Sequence, residues 1–390
     1  MALPSHVCHL TTTFNSRSGS ARRISRIVEA LVDRGVRVTL IVGSANDLEK
    51  FPLPGCEVVV VDSLVKPVSP LRDAVSLFAV WKVLRRLRPD VVHTHLAKGG
   101  VLGRLAAAFF QPSSPSIIHT VHGPTWVPGR GGIGNRIYFF LERVTARLSQ
   151  GLVFVGDDLR RAYVEAGIVD GDKACTIYTA KPRSFLDCSH RVTPFMVRRL
   201  RVSFPPGKHV LAVVARLVPS KRVDHAIRLL ARLRNHGVDA ALVVVGEALV
   251  QDEMKHEKSL RELVARLGLT ENVAFLGFRR DVCELLSSVD CVVSTSGFEG
   301  LSNVLVESML AGTPLVGYEV FGMREILGGS RLTFSVAQGD LDGLERLVVE
   351  VLSRLPEYSD EVERLRSAFG ERFTSKKMVD DTLALYASLQ

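Results

Sequence analysis

Two carboxylates in the second half of the chain are the residues best suited to chemistry. Glu299 follows an apolar run, and Glu307 lies further on, inside a segment that reads as a short helix. Ser302 is a suitable N-cap for that helix, and Gly312 with the proline that follows is a suitable stop. Backbone N–H groups at a helix start attract phosphate, and carboxylates beside them accept hydrogen bonds from sugar hydroxyls. The spacing therefore favours a site for an anionic or hydroxyl-rich ligand.

The predicted helix, residues 303–311, is apolar almost all round, which is typical of a buried helix. Glu307 is its single carboxylate, and a buried ion is costly unless it has a partner. Either Glu307 faces a polar ligand, or it caps neighbouring backbone in a purely structural helix. From this stretch alone, both interpretations stay open.

Two basic residues, Arg216 and Lys221, follow the first apolar run of the second half. A guanidinium at a strand end and an ammonium near a helix start could together neutralise a diphosphate. The helix predicted to begin near Lys221 adds the positive end of its dipole. Basic residues are common on surfaces, but the position at a strand end favours a binding role.

Four histidines lie at predicted strands of the first half: His93, His95, His119 and His122. A His-x-His pair can bind metal, but without an acidic or cysteine ligand nearby we predict no metal site. We interpret His122, which precedes a glycine, as the histidine that contacts a ligand, with His119 as the alternative.

A glycine-containing loop, residues 15–23, follows the first predicted strand and runs into a basic helix. At Gly19 the backbone could approach an anionic group near the helix N-terminus. The loop is neither a G-x-G-x-x-G fingerprint nor a P-loop. An ordinary turn with a solvated arginine face is as compatible with the sequence.

Short β-branched runs alternate with helix-length amphipathic segments along the chain. This alternation predicts parallel sheets covered on both faces, and thus an α/β fold of doubly wound domains. Ligands of such sheets bind beyond the carboxyl ends of the strands, which is where the polar residues above lie. The predicted strands are 7–12, 36–42, 57–61, 91–95, 117–122, 152–155 and 175–178, then 209–215, 241–245, 273–276, 291–295, 315–318 and 332–334.

A proline-rich segment between the two series of strands divides the chain into domains. We predict a Rossmann-like domain over residues 1–181 and a connection over 182–207. A second Rossmann-like domain follows over 208–372, and a final helix over 373–390. This architecture predicts a cleft between the two domains.

The composition is typical of a globular protein, with 46% hydrophobic and 23% charged residues. The chain shows no signal-peptide pattern and no apolar run of membrane-spanning length, so we expect a cytoplasmic protein. The 6 cysteines form no C-x-x-C pair, which disfavours a zinc or redox centre. A net charge of +9 indicates an anionic partner such as a nucleotide or lipid surface, but no nucleic-acid-binding motif is present.

Together these residues resemble the family 4 glycosyltransferases, which have the GT-B fold of two facing Rossmann-like domains. The resemblance covers nearly the whole chain. The most specific match is the family's E-x7-E motif, from Glu299 to Glu307, followed by an Ala-Gly-x-Pro at 311–314. The family's N-domain histidine matches His122, and its basic pair matches Arg216 and Lys221. Residues 373–389 resemble the family's final helix, which crosses back onto the first domain.

The resemblance implies a retaining, hexosyltransferase-type enzyme that moves a sugar from a nucleotide-sugar to an acceptor hydroxyl. UDP is the expected nucleotide by its frequency in the family, and neither a metal nor a cofactor is implied. The implied catalytic residues are His122, Arg216, Lys221 and Glu299. The implied donor contacts are Gly19, Arg216, Lys221, Phe278, Arg279, Glu299, Gly300, Leu301, Ser302, Asn303 and Glu307.

The resemblance assigns the acceptor to the first domain, where we place His95 and Trp126 on the acceptor side. We expect a lipid-linked or saccharide acceptor, as in polysaccharide, lipopolysaccharide or glycolipid synthesis. Basic amphipathic segments at 71–88 and 130–147 can lie on anionic membranes, so peripheral contact with the inner membrane face is one hypothesis. Helices packed on the sheet are the alternative, which we prefer for the first segment.

The sequence departs from the family pattern at places that affect donor geometry. Serines flank Gly19 where a Gly-Gly pair is usual, and Thr179-Ala180 stands where Asn-Gly is usual. The usual Gly-x-Gly is Gly246-Glu-Ala248, followed by extra charged residues to Lys258. Two other functions stay open. One is a nucleotide-sugar epimerase of related fold, and the other is a non-catalytic nucleotide-sugar-binding protein, whose expected mark is a broken donor site. The presence of Arg216, Lys221, Glu299 and Glu307 disfavours the second.

Overall fold

Two parallel β-sheets organise the chain. The computed structural model describes residues 3–15, 18–49, 52–109, 115–186, 204–205, 207–330 and 332–389. The chain divides into two units, one formed by Met1–Ala180 with Ser375–Gln390 and the other by Lys181–Thr374. Most of the connection predicted over 182–207 lies outside the described residues.

The sheet of the first unit has seven strands in the order β3-β2-β1-β4-β5-β6-β7. All neighbours in it are parallel. The order reverses between β1 and β4, and in such sheets ligands bind beyond the strand ends at the reversal. The strands are β1 (His6–Thr11), β2 (Arg37–Gly43), β3 (Cys56–Val61), β4 (Val91–His95), β5 (Ser116–Val121), β6 (Gly151–Phe154) and β7 (Ala174–Thr176).

Helices cover both faces of this sheet, and β1, β4 and β6 are therefore buried along their whole length. The first helix packs on one face through Ile24, Ile27 and Leu31. The next two pack on the other face, where Leu84 and Leu102 enter the core. The helices are α1 (Gly19–Val32), α2 (Pro70–Leu87), α3 (Ala97–Ala108), α4 (Ile133–Ala146) and α5 (Asp157–Glu165).

The second unit repeats this plan with a six-stranded parallel sheet in the order β10-β9-β8-β11-β12-β13. The prediction of two doubly wound domains is therefore confirmed. Its strands are β8 (His209–Val214), β9 (Ala240–Val245), β10 (Val273–Gly277), β11 (Cys291–Ser294), β12 (Leu315–Tyr318) and β13 (Ser335–Val336). Its helices are α6 (Arg183–Leu186), α7 (Val223–Asn235), α8 (Gln251–Arg266), α9 (Val282–Leu286), α10 (Asn303–Ala311), α11 (Met323–Leu327), α12 (Leu341–Ser353) and α13 (Leu355–Phe369).

The last strand differs from the prediction, which placed it at 332–334. The ladder with β12 instead pairs Ser335 and Val336. Phe334, whose apolar side chain suggested a strand, is buried edge-on against Tyr358 of α13. The apolar signal thus marks a packing contact that precedes the paired residues.

The final helix, α14 (Ser375–Ala387), belongs to the first unit, so the predicted return of the C-terminus is confirmed. The Tyr386 hydroxyl lies 2.6 Å from Nδ1 of His93 on β4. The Ala180 backbone N–H donates to the Met378 sulfur at 3.3 Å. Within the described part of the chain, no helix combines the length and apolarity needed to cross a membrane.

A buried ion pair joins α3 to α4 in the first unit. Arg104 Nη2 lies 2.9 Å from Glu142 Oε2, and the two side chains are 0% and 2% exposed. The other Glu142 oxygen accepts from the Thr125 hydroxyl at 2.9 Å. Thr125 in turn lies 3.0 Å from the Tyr163 hydroxyl. Glu142 therefore holds both a neighbouring helix and the loop that follows β5.

We predict that Glu142→Ala destabilises the protein by roughly 3–5 kcal/mol, because it leaves the Arg104 guanidinium buried without its counter-ion. Urea unfolding measures this directly. Glu57→Ala is the matched control: its pair with Arg37 has the same 2.9 Å separation, but the side chains are 40% and 58% exposed. That variant should lose less than about 1 kcal/mol. Equal losses in the two variants would contradict the role of burial.

Candidate functional site

The loop from β11 to α10 carries the first glutamate of the E-x7-E motif. Its helix begins as predicted, because the Ser302 hydroxyl accepts from the Leu305 N–H at 3.4 Å. Gly312 ends the helix in the left-handed region at φ 78°. The Thr295 hydroxyl donates to the carbonyls of Lys221 and Arg222 at 3.0 and 2.8 Å. The motif loop is thus tied to the turn that carries Lys221.

Lys221 and Glu299 form an ion pair across these two segments. Their side chains are 25% and 17% exposed, so both charges lie at the protein surface but are shielded from much of the solvent. Lys221 ends a short 3₁₀ turn, and Arg222 follows in the left-handed region at φ 47°. Helix α7 therefore begins at Val223, beyond the predicted start near Lys221. The strained residue at this position costs on the order of 1–3 kcal/mol and is typical of functional sites.

Glu307, the second glutamate of the motif, has a fixed cationic partner. Lys181 Nζ lies 3.4 Å from Glu307 Oε1 and donates to Asn303 Oδ1 at 2.5 Å. The Lys181 side chain is 4% exposed. The backbone N–H of Lys181 donates to the Phe373 carbonyl at 2.9 Å, which fixes the start of this unit. Glu307 is thus held by a donor in the protein, a partner that the sequence analysis missed.

Arg216, just beyond β8, is held by Glu253 in the first turn of α8. Its Nε lies 3.1 Å from Glu253 Oε2, and Nη2 contacts Oε1. Glu253 is 7% exposed, whereas Arg216 is 44% exposed. The Leu249 N–H also donates to Glu253 at 2.8 Å, which fixes the carboxylate. Glu253 lies in the charged stretch that the sequence analysis treated as an addition to the family pattern.

The loop after β10 holds Phe278 and Arg279, two of the donor contacts that the resemblance implies. Gly277 has φ 64°, a left-handed turn that suits glycine, and Phe278 beyond it is 38% exposed. Arg279 donates from Nε and Nη2 to the Asp281 carboxylate at 2.8 and 2.5 Å. The hydrogen bonds that Arg279 donates to Asp281 raise the pKa of Arg279 above its ordinary value. The loop therefore offers an exposed ring beside a fixed guanidinium.

The remaining predicted donor contacts, Gly300, Leu301 and Asn303, lie between the two glutamates. Gly300 is buried, Leu301 is partly buried and Asn303 is exposed at the start of α10. Leu301 packs closely against Gly322, where a Cβ would lie 2.4 Å from the Leu301 side chain. The motif backbone thus has a fixed path between its two carboxylates.

In the first unit, four histidines share one face of the sheet near the carboxyl ends of its central strands. His9 pairs with His93 in the strand register, and His95 and His122 lie nearer the strand ends. His9 Nδ1 is 3.0 Å from His95 Nε2, and His95 Nδ1 is 3.1 Å from His122 Nε2. His119 lies on the opposite face and bonds the Thr94 carbonyl at 3.1 Å. This places His122, not His119, with the cluster.

Burial keeps these histidines neutral. It lowers the pKa of His9 and of His122 to about 3. The Arg23 guanidinium, itself buried, adds to the lowering at His122. The pKa values of His93, His95 and His119 are also lowered well below the ordinary value, first by burial and then by neighbouring cations or imidazoles.

The imidazoles of His9, His93 and His95 are close enough to hold a metal ion, since one ligand atom from each lies within 4.8 Å of the others. Most of their nitrogens are already engaged. His93 bonds Tyr386 and Thr120 at 2.6 and 2.7 Å, and His95 bonds its two histidine neighbours. Within the described residues, His9 Nε2 is the buried imidazole nitrogen of this group that has no partner.

Three further predicted residues occupy distinct places in the first unit. Gly19 opens α1, where the Ser18 hydroxyl accepts from the Ala21 N–H at 3.1 Å. The helix start is thus capped by its own serine. Trp126 packs on Phe139 and edge-on against Tyr163. His95 ends β4, is completely buried and contacts His122 through Nδ1.

We predict that stability falls steeply as the pH drops below about 6.5. Each of the five histidines described above is neutral in the folded chain but takes up a proton on unfolding, so the unfolded state binds more protons. The free energy of unfolding therefore falls by up to about 1.4 kcal/mol per histidine and pH unit, until the folded pKa values near 3 are reached. Urea midpoints at pH 7.5, 6.5 and 5.5 measure the slope.

Two variants test the origin of this slope. His119→Asn should reduce it by about one proton, because the amide can still donate to Thr94 but does not titrate. His209→Gln is the control, since His209 is 41% exposed, and should leave the slope unchanged. A midpoint that does not change with pH would contradict the prediction.

Two protein families match the chain over most of its length. The family described as "Glycosyl transferase 4-like domain" matches residues 18–180, and the family described as "Glycosyl transferases group 1" matches residues 199–367. Among curated proteins, the UDP-Gal:alpha-D-GlcNAc-diphosphoundecaprenol alpha-1,3-galactosyltransferase of Escherichia coli is 22% identical over 336 residues. These residues are 86% of this chain and 84% of that protein.

Solved structures share the fold. The Anabaena protein HepE in complex with UDP has a TM-score of 0.77 at 19% identity, over 98% of this chain and 100% of that chain. WaaG, described as a glycosyltransferase involved in lipopolysaccharide biosynthesis, has a TM-score of 0.75 at 18% identity, over 97% and 99%. At these identities the likeness shows the fold alone, which is the GT-B fold.

Proposed function

The chain belongs to the family 4 glycosyltransferases, and we propose that it moves a sugar from a UDP-sugar to an acceptor hydroxyl with retention of configuration. The observation that carries this proposal is the fixation of both motif glutamates by cations, Glu299 by Lys221 and Glu307 by Lys181. Carboxylates fixed in this way are preorganised acceptors for hydroxyl groups. Glu299 would contact the sugar and Glu307 the ribose, and His122 would donate to the sugar.

Arg216 and Lys221 are the residues that would neutralise the leaving diphosphate. The bond from the anomeric carbon to the diphosphate oxygen breaks, a bond to the acceptor oxygen forms, and the hydroxyl proton passes to the diphosphate. Because negative charge grows on the leaving group, fixed cations stabilise the transition state more than the bound donor. Side chains supply this charge, so we propose that transfer proceeds without a metal.

We extend the proposal to an acceptor at an anionic membrane, because α4 carries an exposed apolar stripe. Ile133, Ile137, Phe140 and Val144 are 79%, 52%, 64% and 37% exposed. Their spacing places them on one face of the helix. Arginines lie on the same helix and beside it, at positions 136, 143 and 147. An apolar face with a basic border is typical of helices that lie in a membrane interface, and it suits a lipid-linked or saccharide acceptor.

We predict that Lys221→Ala and Glu307→Ala abolish transfer while the fold is kept, although Glu307→Ala also lowers the stability because Lys181 loses its carboxylate partner. Each change removes one group that holds the donor, so the thermal shift produced by a UDP-sugar should also disappear. A panel of UDP-, GDP- and ADP-sugars with the unmodified chain identifies the nucleotide. Lys258→Ala and Glu262→Ala are matched controls, because this exposed pair has 80% and 54% exposed side chains. Full activity of either site variant would overturn the assignment.

The membrane proposal predicts co-flotation with anionic vesicles at low salt. Exchanging Ile137 and Phe140 together for serine should weaken this binding at least tenfold, because each change removes apolar area worth on the order of 1–2 kcal/mol at the interface. Val349→Ser is the control, since Val349 is similarly exposed, at 41%, in the other unit. Absence of binding by the unmodified chain at low salt would refute peripheral contact.

A further inference from the structure

Three imidazoles in the first unit form a hydrogen-bonded row that leads from the core to the end of the sheet. His9 Nδ1 lies 3.0 Å from His95 Nε2, and His95 Nδ1 lies 3.1 Å from His122 Nε2. His9 and His95 are 0% exposed. The inner end of the row is His9 Nε2, a buried nitrogen with no partner among the described residues. The outer end is His122, the histidine of the family motif.

Each imidazole in the row is neutral, so each carries one N–H and one acceptor nitrogen. Burial is the first cause, and the buried cation of Arg23 acts in the same direction on His122. In the described part of the chain, the hydrogen-bond partners of the row are other imidazoles and not carboxylates. Two hydrogen bonds between three neutral rings therefore have to run in the same direction.

The direction of the two hydrogen bonds follows from His9 Nε2, the buried nitrogen without a partner among the described residues. If the protons pointed inwards, His9 would accept through Nδ1, and its Nε2 would carry a buried N–H that bonds nothing. If they point outwards, His9 donates through Nδ1, and Nε2 keeps only an unused lone pair. In folded proteins an orphaned buried N–H is rarer than an unused acceptor. The outward direction is therefore the more stable one.

From this geometry we infer that His122 accepts from His95 through Nε2 and carries its own proton on Nδ1. His9 and His95 then act as positioning residues that fix the tautomer of His122 without contacting a substrate. The tautomer follows from the row alone, whereas its use in transfer rests on the proposed function. In that setting His122 presents a neutral N–H donor, and the substrate group it meets is an acceptor such as a hydroxyl or ring oxygen of the sugar.

The surroundings of His95 hold it in one orientation. Its ring stacks on His93 with centroids 4.3 Å apart, and His93 is fixed by Tyr386 and Thr120. The next residue, Leu96, has φ 62° and ψ 160°, a backbone conformation that side chains other than glycine rarely adopt. Such strain persists only where the surrounding structure fixes the chain. A misplaced His95 would break both hydrogen bonds of the row.

Nitrogen NMR of the full chain with ¹⁵N-labelled histidine tests the inference. Two-bond couplings to the ring protons distinguish Nδ1 from Nε2, and His122→Gln identifies the His122 signals by their loss. We expect His122 to be protonated on Nδ1 and unprotonated on Nε2 near pH 7. A proton on Nε2 of His122 would overturn the inference, whatever the activity of the protein.

Two variants of His95 test its positioning role. His95→Phe keeps an aromatic ring but removes both hydrogen bonds, so His122 should show a mixture of tautomers and transfer should fall roughly tenfold, the effect of one hydrogen bond. His95→Asn places an amide N–H donor where Nδ1 lies, so it should restore one tautomer and most of the transfer. An unchanged tautomer and full transfer in His95→Phe would refute the role. If the unmodified chain shows the expected tautomer but no transfer, only the proposed function fails.

Discussion

Charged side chains that are shielded from water are unstable unless they are paired, and the candidate site of the second unit depends on such ion pairs. Glu299 lies just before a largely apolar helix and Glu307 lies on it, where a lone carboxylate would be unstable. Lys221 and Lys181 supply the compensating charges from distant parts of the chain. The same contacts that stabilise the carboxylates also fix where they point. Stability and preorganisation of the site therefore come from the same interactions.

The first unit also contains a buried ion pair, Arg104 with Glu142, but it leaves its buried imidazoles uncharged. A neutral ring needs no counter-ion, but it has a direction, because one nitrogen donates and the other accepts. The register that pairs His9 with His93 brings the rings together, and burial keeps them neutral. The candidate site of the second unit therefore offers fixed charges, and the histidine row of the first unit offers directed hydrogen bonds.

The sequence predicted the sheets well, because parallel strands buried on both faces are continuous apolar runs. It also predicted α10 from Ser302 and Gly312, whose roles depend only on local backbone. It did not predict that Lys181 pairs with Glu307 or that Glu253 pairs with Arg216, because these contacts join residues far apart in sequence and no local pattern marks them. The row from His9 to His122 was not predicted for the same reason, because it depends on the register of neighbouring strands. Local signals thus specify elements, and tertiary pairing specifies the site.

Glu253 lies outside the E-x7-E motif, yet it contributes one negative charge beside Arg216. The net charge of the site is therefore set partly by a helix that the motif does not include. A relative with a neutral residue at this position would present one more uncompensated cation to the same ligand. A single substitution at position 253 would therefore change the selectivity between more and less anionic donors, with every motif residue unchanged.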